Sequence, residues 1–402
     1  MGLAKQLDGI SSDRVTNSTS LLLCKIGFLI VTEVEIGGTK RGRIAYSFDD
    51  IALVPTRRTR NPEDVSTNWK IDAYDFAFPI MAAPMDSVVS PDVAINYGKL
   101  GGLAVLDLEG LWTRYEDPQS EFKKIANAKS SSAVELLQQI YAAPIKPELI
   151  KERIKQIKSA GVIAAASLSP RAVVKHFKSV VEAGIDIFVI RGSTVSAEHV
   201  STGDEPLNLK KFIYELDVPV IVGGCASHQA GLHLMRTGAA GVLVGFGGGA
   251  AHTTSDVLGV RVPMATAVAD VAAARREYLD ESEGRYVHVI ADGSVGKSGD
   301  ISKAIAMGAD AVMVGSALAR SSSAPGGGKH WGSEAVHKDL PRGQVVELGV
   351  AGTLEQILFG PSTNAEGTLN LVGALKQAMA TTGYSDLKEL QRIEVVVNSV
   401  RS

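Results

Sequence analysis

Short apolar runs recur along the chain, each closed by glycine or a polar turn and followed by an amphipathic stretch. This is the pattern that strand-helix units of a buried parallel sheet require. Eight runs follow in order: Phe78 to Met85, Gly102 to Leu106, Val162 to Leu168, Ile185 to Ile190, Val218 to Gly223, Gly241 to Phe246, Tyr286 to Ala291 and Ala311 to Val314. Between them, Pro91 to Leu100, Arg171 to Ala183, Ser227 to Thr237, Ala265 to Leu279 and Asp300 to Met307 carry helical periodicity. Eight alternations predict one α/β domain, a closed (β/α)₈ (TIM) barrel; an open doubly wound sheet fits them less well.

Two segments exceed the bare repeat, and both follow strands, where barrel enzymes place functional loops. Residues 108–160 form a charged excursion with helical spacing around Glu135 to Tyr141 and Pro147 to Lys158, predicting an extended second helical region. Residues 321–343 follow the last strand and open with Ser-Ser-Ser-Ala-Pro-Gly-Gly-Gly, a candidate mobile flap. A solvated connector is the plainer reading of each. At the other end, Leu21 to Val31 is apolar but interrupted by Lys25. It is shorter than the ~20 residues a membrane span needs, and no small-residue cleavage site follows it. Residues 1–31 are therefore expected to be an appendage, disordered or foreign to the native protein, with the fold occupying 32–402.

Composition adds boundaries. Of 402 residues, 45% are hydrophobic and 21% charged, with a formal net charge of -3; this suits a globular domain and offers no basic face for nucleic acid. Cys24 and Cys225 are the only cysteines, which excludes a disulfide framework and a cysteine-rich zinc site and points to a reducing, cytoplasmic setting.

Loops after the seventh and eighth strands of barrels commonly cradle phosphate. Here the seventh run ends in Asp292-Gly293-Ser294, where Asp292 can accept from a ribose diol, and the eighth in Gly315-Ser316. Ala291 to Ser298 nearly spells a P-loop but lacks its leading glycine, and Gly245 to Ala250 spells a dinucleotide fingerprint that opens no Rossmann unit. The latter is better read as a loop of backbone amides and carbonyls able to hold a ligand edge or a monovalent cation, K⁺, on Gly247 and Gly249. It runs into His252, Thr253 and Thr254, placing an imidazole and two hydroxyls at the barrel mouth. His176 and His233 fall within helical patterns without metal-ligand spacing, so no zinc site is expected.

With these motifs the chain resembles the IMP dehydrogenase and GMP reductase family from about Gly42 to Val400. Phe48-Asp49-Asp50-Ile51-Ala52-Leu53-Val54-Pro55 resembles its opening segment, and Ala83-Pro84-Met85-Asp86-Ser87-Val88 its first nucleotide loop. Gly245 to Thr254 resembles its cysteine loop, and Asp292-Gly293-Ser294 and Gly315-Ser316 its ribose and phosphate loops. The CBS pair usual in the dehydrogenase is missing; residues 108–160 stand in its place, as in GMP reductase or the short dehydrogenase-related branch.

The resemblance implies a nicotinamide-dependent oxidoreductase of guanine nucleotide metabolism working at purine C2. Oxidation of IMP to XMP comes first and reduction of GMP to IMP second. It implies nucleotide contacts at Ala83, Met85, Asp292, Gly293, Ser294, Gly315, Ser316 and Gly332, cofactor contacts at Arg191, Gly192, Ser193, Gly245, Phe246 and Gly247, and a homotetramer. The reductase proton-transfer pair maps onto Thr254 and Glu334. Three departures stand out. His252 occupies the position of the family cysteine, which makes a purine-nucleotide-binding protein without catalysis a third reading, while Cys225 at the end of the fifth strand is a possible substitute thiol. Arg191 replaces an Asp that grips the cofactor ribose, opening NADP beside NAD. Ser294 replaces a glycine.

Overall fold

The computed structural model describes residues 33–202, 206–246, 248–336 and 343–398; the appendage expected over 1–31 lies outside them. Two units are distinguished, the second beginning at Ala45. In the first, Glu33–Ile36 and Lys40–Arg43 pair as an antiparallel hairpin.

In the second, eight parallel strands close a barrel: β1 (Ile80–Ala82), β2 (Leu103–Asp107), β3 (Ala165–Leu168), β4 (Ile187–Arg191), β5 (Val220–Cys225), β6 (Gly241–Val244), β7 (His288–Asp292) and β8 (Ala311–Val314). Each overlaps one apolar run of the sequence, and β8 closes on β1 through Val312↔Ile80 and Val314↔Ala82. Successive strand side chains point to opposite faces, so a strand covered by helices outside and packed side chains inside must be apolar throughout. Ile187, Phe188, Val189 and Ile190 of β4 are all fully buried.

Helix α1 (Pro91–Lys99) follows β1. After β2 the excursion holds α2 (Gln119–Asn127), α3 (Ser130–Ile140) and α4 (Pro147–Ser159). Then come α5 (Pro170–Glu182) after β3, α6 (Leu209–Tyr214) after β4, α7 (His228–Met235) after β5, α8 (Thr254–Leu258) and α9 (Met264–Glu281) after β6, and α10 (Ser298–Ala306) after β7. Serine hydroxyls start three of them: Ser90, Ser169 and Ser227 accept from Val93, Ala172 and Ala230 N–H, satisfying donors a helix leaves unpaired. Gly231 lets α7 lie against α9, since a Cβ there would come within 2.9 Å of Val271 Cγ1.

Past β8, Lys329–Trp331, inside the segment 321–343 expected to be a flap, pairs antiparallel with Val345–Glu347 just beyond it; 337–342 of that segment lies outside the described residues. Helices α11 (Leu354–Phe359), α12 (Leu371–Thr382) and α13 (Leu387–Leu390) complete the unit. The N-terminal end of the barrel is tied by Asp310, 2% exposed. It accepts from Arg275 Nη1 at 2.7 Å, Lys388 Nζ at 2.5 Å, Tyr286 Oη at 2.7 Å and the Val289 N–H at 2.9 Å. Burial pushes its pKa up, but Arg275 and Lys388 more than offset that and hold it at about 2.

Candidate functional site

The C-terminal strand ends surround a cavity of about 330 Å³, at the small end of the ~300–1,000 Å³ usual for ligand pockets. Among the sequence-predicted residues, Met85, Arg191, Gly192, Ser193, Gly245 and Phe246 line it, as do His252, Asp292, Gly293, Gly332 and Glu334. Strand ends supply Arg191 and Asp292, and the loops that leave the barrel supply the rest.

His252 and Glu334 define one wall. Glu334 sits in a short 3-10 turn, Ser333–Val336, and is 3% exposed. Its Oε2 accepts the Thr253 N–H at 2.8 Å, and its Oε1 accepts the Thr254 hydroxyl in a short hydrogen bond. His252 Nδ1 lies 3.6 Å from Oε1, beyond hydrogen-bonding distance but well within electrostatic reach. Burial pushes the Glu334 pKa up; His252, Thr254 and Thr253 outweigh it and bring the carboxyl to about 2. The wall therefore presents an ionised carboxylate behind an imidazole. Since Nδ1 is buried, the 16% of the imidazole side chain still exposed belongs to its other atoms. Gly332 lies beside this ring: a Cβ there would make ordinary contact with His252 Cε1 at 3.6 Å and crowd the end of Met85, at 3.3 Å from Cε. Behind it, burial lowers the His330 pKa to about 3, so this ring is neutral and bonds Ser87 Oγ at 2.9 Å.

A second wall carries acids. Asp86 Oδ2 accepts from Leu111 N at 2.7 Å and from Tyr141 Oη, which in turn accepts from Trp331 Nε1 at 3.0 Å. Asp86 Oδ1 is buried without a hydrogen-bond partner. Desolvation raises the Asp86 pKa to about 6. At the end of β2, desolvation, helped by the charges of Asp86 and Glu109, pushes Asp107 up to about 8. Glu109 is committed elsewhere, accepting from Ser169 N at 2.6 Å and Ser169 Oγ at 3.1 Å. Opposite, Arg191 Nε meets Asp292 Oδ2 at 3.5 Å across the mouth, so two residues predicted to hold different ligands hold each other.

Other predicted residues fall outside the cavity wall. Thr254 is 2% exposed and serves Glu334. Ala83 is buried, its N–H donating to the Val314 carbonyl at 3.0 Å, and acts in barrel closure. Gly315 packs near Met85 and His330, with Ser316 beside it. Ser294 takes a left-handed φ of 54° that favours glycine and donates its hydroxyl to the Gly248 carbonyl at 3.2 Å. It lines a neighbouring cavity with Arg261, Lys297 and Arg320. Gly247 lies outside the described residues. The Gly249 carbonyl accepts the His252 N–H at 3.0 Å and the Gly248 carbonyl the Ser294 hydroxyl.

The substitute thiol is corrected by the structure. Cys225 is 2% exposed, donates to the Leu243 carbonyl at 3.4 Å and does not line the cavity, and burial pushes its pKa to about 12. A neutral, enclosed thiol is no nucleophile.

Sequence reading missed Asp107, Arg114, Tyr141 and Trp331 as cavity residues. Asp107 carried a usable signal, a carboxyl directly ending a barrel strand. Arg114 and Tyr141 carried none, because periodicity does not tell that the excursion folds over the mouth.

Comparison with known proteins agrees with this geometry. A family model described as IMP dehydrogenase / GMP reductase domain matches residues 45–401. An uncharacterized oxidoreductase of Mycolicibacterium smegmatis is 51% identical over 374 residues, covering 91% of this chain and 100% of that protein. An inosine-5'-monophosphate dehydrogenase of Methanocaldococcus jannaschii is 25% identical, covering 86% and 91%. The crystal structure of an IMP dehydrogenase/GMP reductase-like protein from Corynebacterium glutamicum superposes with a TM-score of 0.87 at 50% identity, covering 91% of this chain and 98% of that one. With a closed parallel barrel, the motifs in order and a match spanning nearly its whole length, the chain belongs to the IMP dehydrogenase / GMP reductase family.

Proposed function

We propose that the chain is a nicotinamide-dependent purine-nucleotide oxidoreductase that converts IMP to XMP, with His252 acting as a base on water in place of a covalent cysteine. The observation that carries this reading is the ionised, buried Glu334 carboxylate behind His252. An imidazole is a weaker nucleophile than a thiolate, and its adduct at C2 would be cationic. A ring backed by a carboxylate is instead suited to accepting a proton, because the carboxylate stabilises the imidazolium that forms. In the proposed reaction, water oxygen bonds to C2 as the C2=N3 π bond opens onto N3, His252 takes one water proton, and the C2 hydrogen leaves with its electron pair, restoring the C2=N3 bond. The remaining O–H proton passes to N3, giving the C2 carbonyl of XMP with one proton released overall.

A bound NAD or NADP supplies the hydride acceptor. The wall formed by Arg191, Gly192, Ser193 and Ser169 fits such a polar, anionic ligand: the terminal nitrogens of Arg191 make no hydrogen bond among the described residues, leaving its guanidinium fork available. On the nucleotide side, Asp292 and Gly293 would take a ribose and the start of its phosphate, with Met85 against the base; that all three line the cavity supports this reading. The flap role of 321–343, a homotetramer and a cytoplasmic setting belong to the same proposal; no helix of the described residues is long and apolar enough to cross a membrane.

The Thr254 to Glu334 hydrogen bond favours reduction of GMP to IMP as the second reading. Both are tested by incubating the purified chain with IMP plus NAD or NADP, and with GMP plus NADPH, while following nicotinamide absorbance. XMP formation supports the first. Flat traces despite IMP binding reject both and leave a nucleotide-binding protein.

A further inference from the structure

The carboxyl of Asp107 has no part in the reaction written above, yet it lines the same cavity. Its Oδ1 accepts the Glu109 N–H at 2.9 Å, and its Oδ2 makes no hydrogen bond among the described residues. The charged and titratable groups that face it come from four places. Asp86 approaches from the loop after β1, Glu109 from the turn after β2, Arg114 and Tyr141 from the excursion, and Arg191 from β4. Of the two other carboxyls, Glu109 is spent on Ser169. Asp86 keeps one oxygen, Oδ1, buried without a partner although the residue is only 3% exposed. Three carboxyls facing two guanidiniums, Arg114 and Arg191, cannot all ionise at low cost, since each desolvated like charge disfavours the next.

We propose that Asp107 contacts the ligand, presenting a neutral carboxylic acid O–H to an acceptor atom of the purine base and so setting specificity for bases with a ring nitrogen or carbonyl at that point. This rests on the nucleotide reading of the cavity. Burial together with Asp86 and Glu109 holds the Asp107 proton to about pH 8, with Arg191 opposing, whereas Glu334 on the facing wall stays ionised. Environments that push two carboxyls apart in this way mark one as donor and the other as acceptor. An ionised Asp107 would instead set its lone pairs against those of the base.

The test is calorimetric titration with IMP between pH ~7 and ~9.5 on the full chain and on Asp107→Asn, which keeps a donor but cannot titrate. IMP ionisation is common to both, so the difference isolates Asp107. Wild-type Kd should weaken relative to the variant by about tenfold per pH unit above ~8, the slope of one linked proton. Superimposable profiles with intact binding overturn the role of Asp107 alone. Absence of IMP binding overturns the nucleotide reading and takes this inference with it. Should the variant not fold, a ¹³C titration of wild-type aspartate carboxyls decides: one midpoint near pH 8 supports the proposal, and none above ~6.5 overturns it.

Discussion

Replacing Arg275 by Met tests whether the closed end of the barrel is held by Asp310. The guanidinium side chain is 9% exposed and the carboxylate 1%, so the substitution leaves a buried charge short of its main partner. Breaking a buried pair costs about 3–5 kcal/mol. Lys388, Tyr286 and the Val289 N–H remain on the carboxylate, which places the expected loss near the lower figure, ~3 kcal/mol.

The pH dependence has a definite sign. The folded pKa of Asp310 is depressed from 3.8 to about 2, so its contribution is complete above the unfolded value and is lost as pH falls through the folded one. That depression corresponds to about 2 kcal/mol. Urea unfolding of wild type and Arg275→Met should differ by ~3 kcal/mol near neutrality, and the gap should close as pH falls from ~4 toward ~2. Adding Asp310→Asn to the variant should restore part of the loss, because removing both members of a buried pair costs less than removing one. A difference under ~1 kcal/mol at neutral pH, or a gap indifferent to acid, would refute the reasoning.

Cys225 should resist a thiol reagent in the folded protein and react only on unfolding, as its burial and raised pKa require; labelling at the native rate of a free thiol would contradict its placement. Ser294→Gly relieves a left-handed φ, worth about 1 kcal/mol, but loses a hydrogen bond of similar worth to the Gly248 carbonyl. Its stability should therefore stay within ~1 kcal/mol of wild type, while hydrogen exchange around residues 245–254 speeds up. Unchanged exchange would show that Ser294 does not brace the glycine loop.

The barrel was legible because a strand buried on both faces must be an unbroken apolar run, and eight such runs punctuated by glycine leave few architectures. Short helices escaped: α6 and α11 have six residues each and α13 four, too few turns for a 3.6-residue period to show. At the mouth, residues fixed by local sequence, such as Asp292, Gly293 and His252, were readable from their motifs. Those whose role depends on packing were not. Ala83 and Thr254 sit in the right motifs but face inward, while Tyr141 reaches the cavity from fifty-five residues beyond Asp86. A motif gives a residue's neighbours along the chain; which way its side chain turns is decided by the layers packed over it.

The departure at position 252 has to be judged with Glu334, because two threonines fix the carboxylate in the site and the imidazole adds to its electrostatics. Thr253 N–H and the Thr254 hydroxyl hold it in position, and His252 further lowers its pKa, so His252→Cys keeps Glu334 and its threonine in place while it removes one charge partner and changes the group facing the ligand. A base becomes a nucleophile. The resemblance places a cysteine at this position in dehydrogenase and reductase alike, with the threonine and glutamate as the reductase's proton-transfer pair, so the variant should gain reduction of GMP with NADPH and carry IMP oxidation through a covalent C2 adduct visible in the intact mass. Following nicotinamide absorbance in both directions separates the possibilities. If His252→Cys oxidised IMP at the wild-type rate with no covalent adduct in its intact mass, the imidazole would not be the base, and the carboxylate behind it would have to be explained as packing.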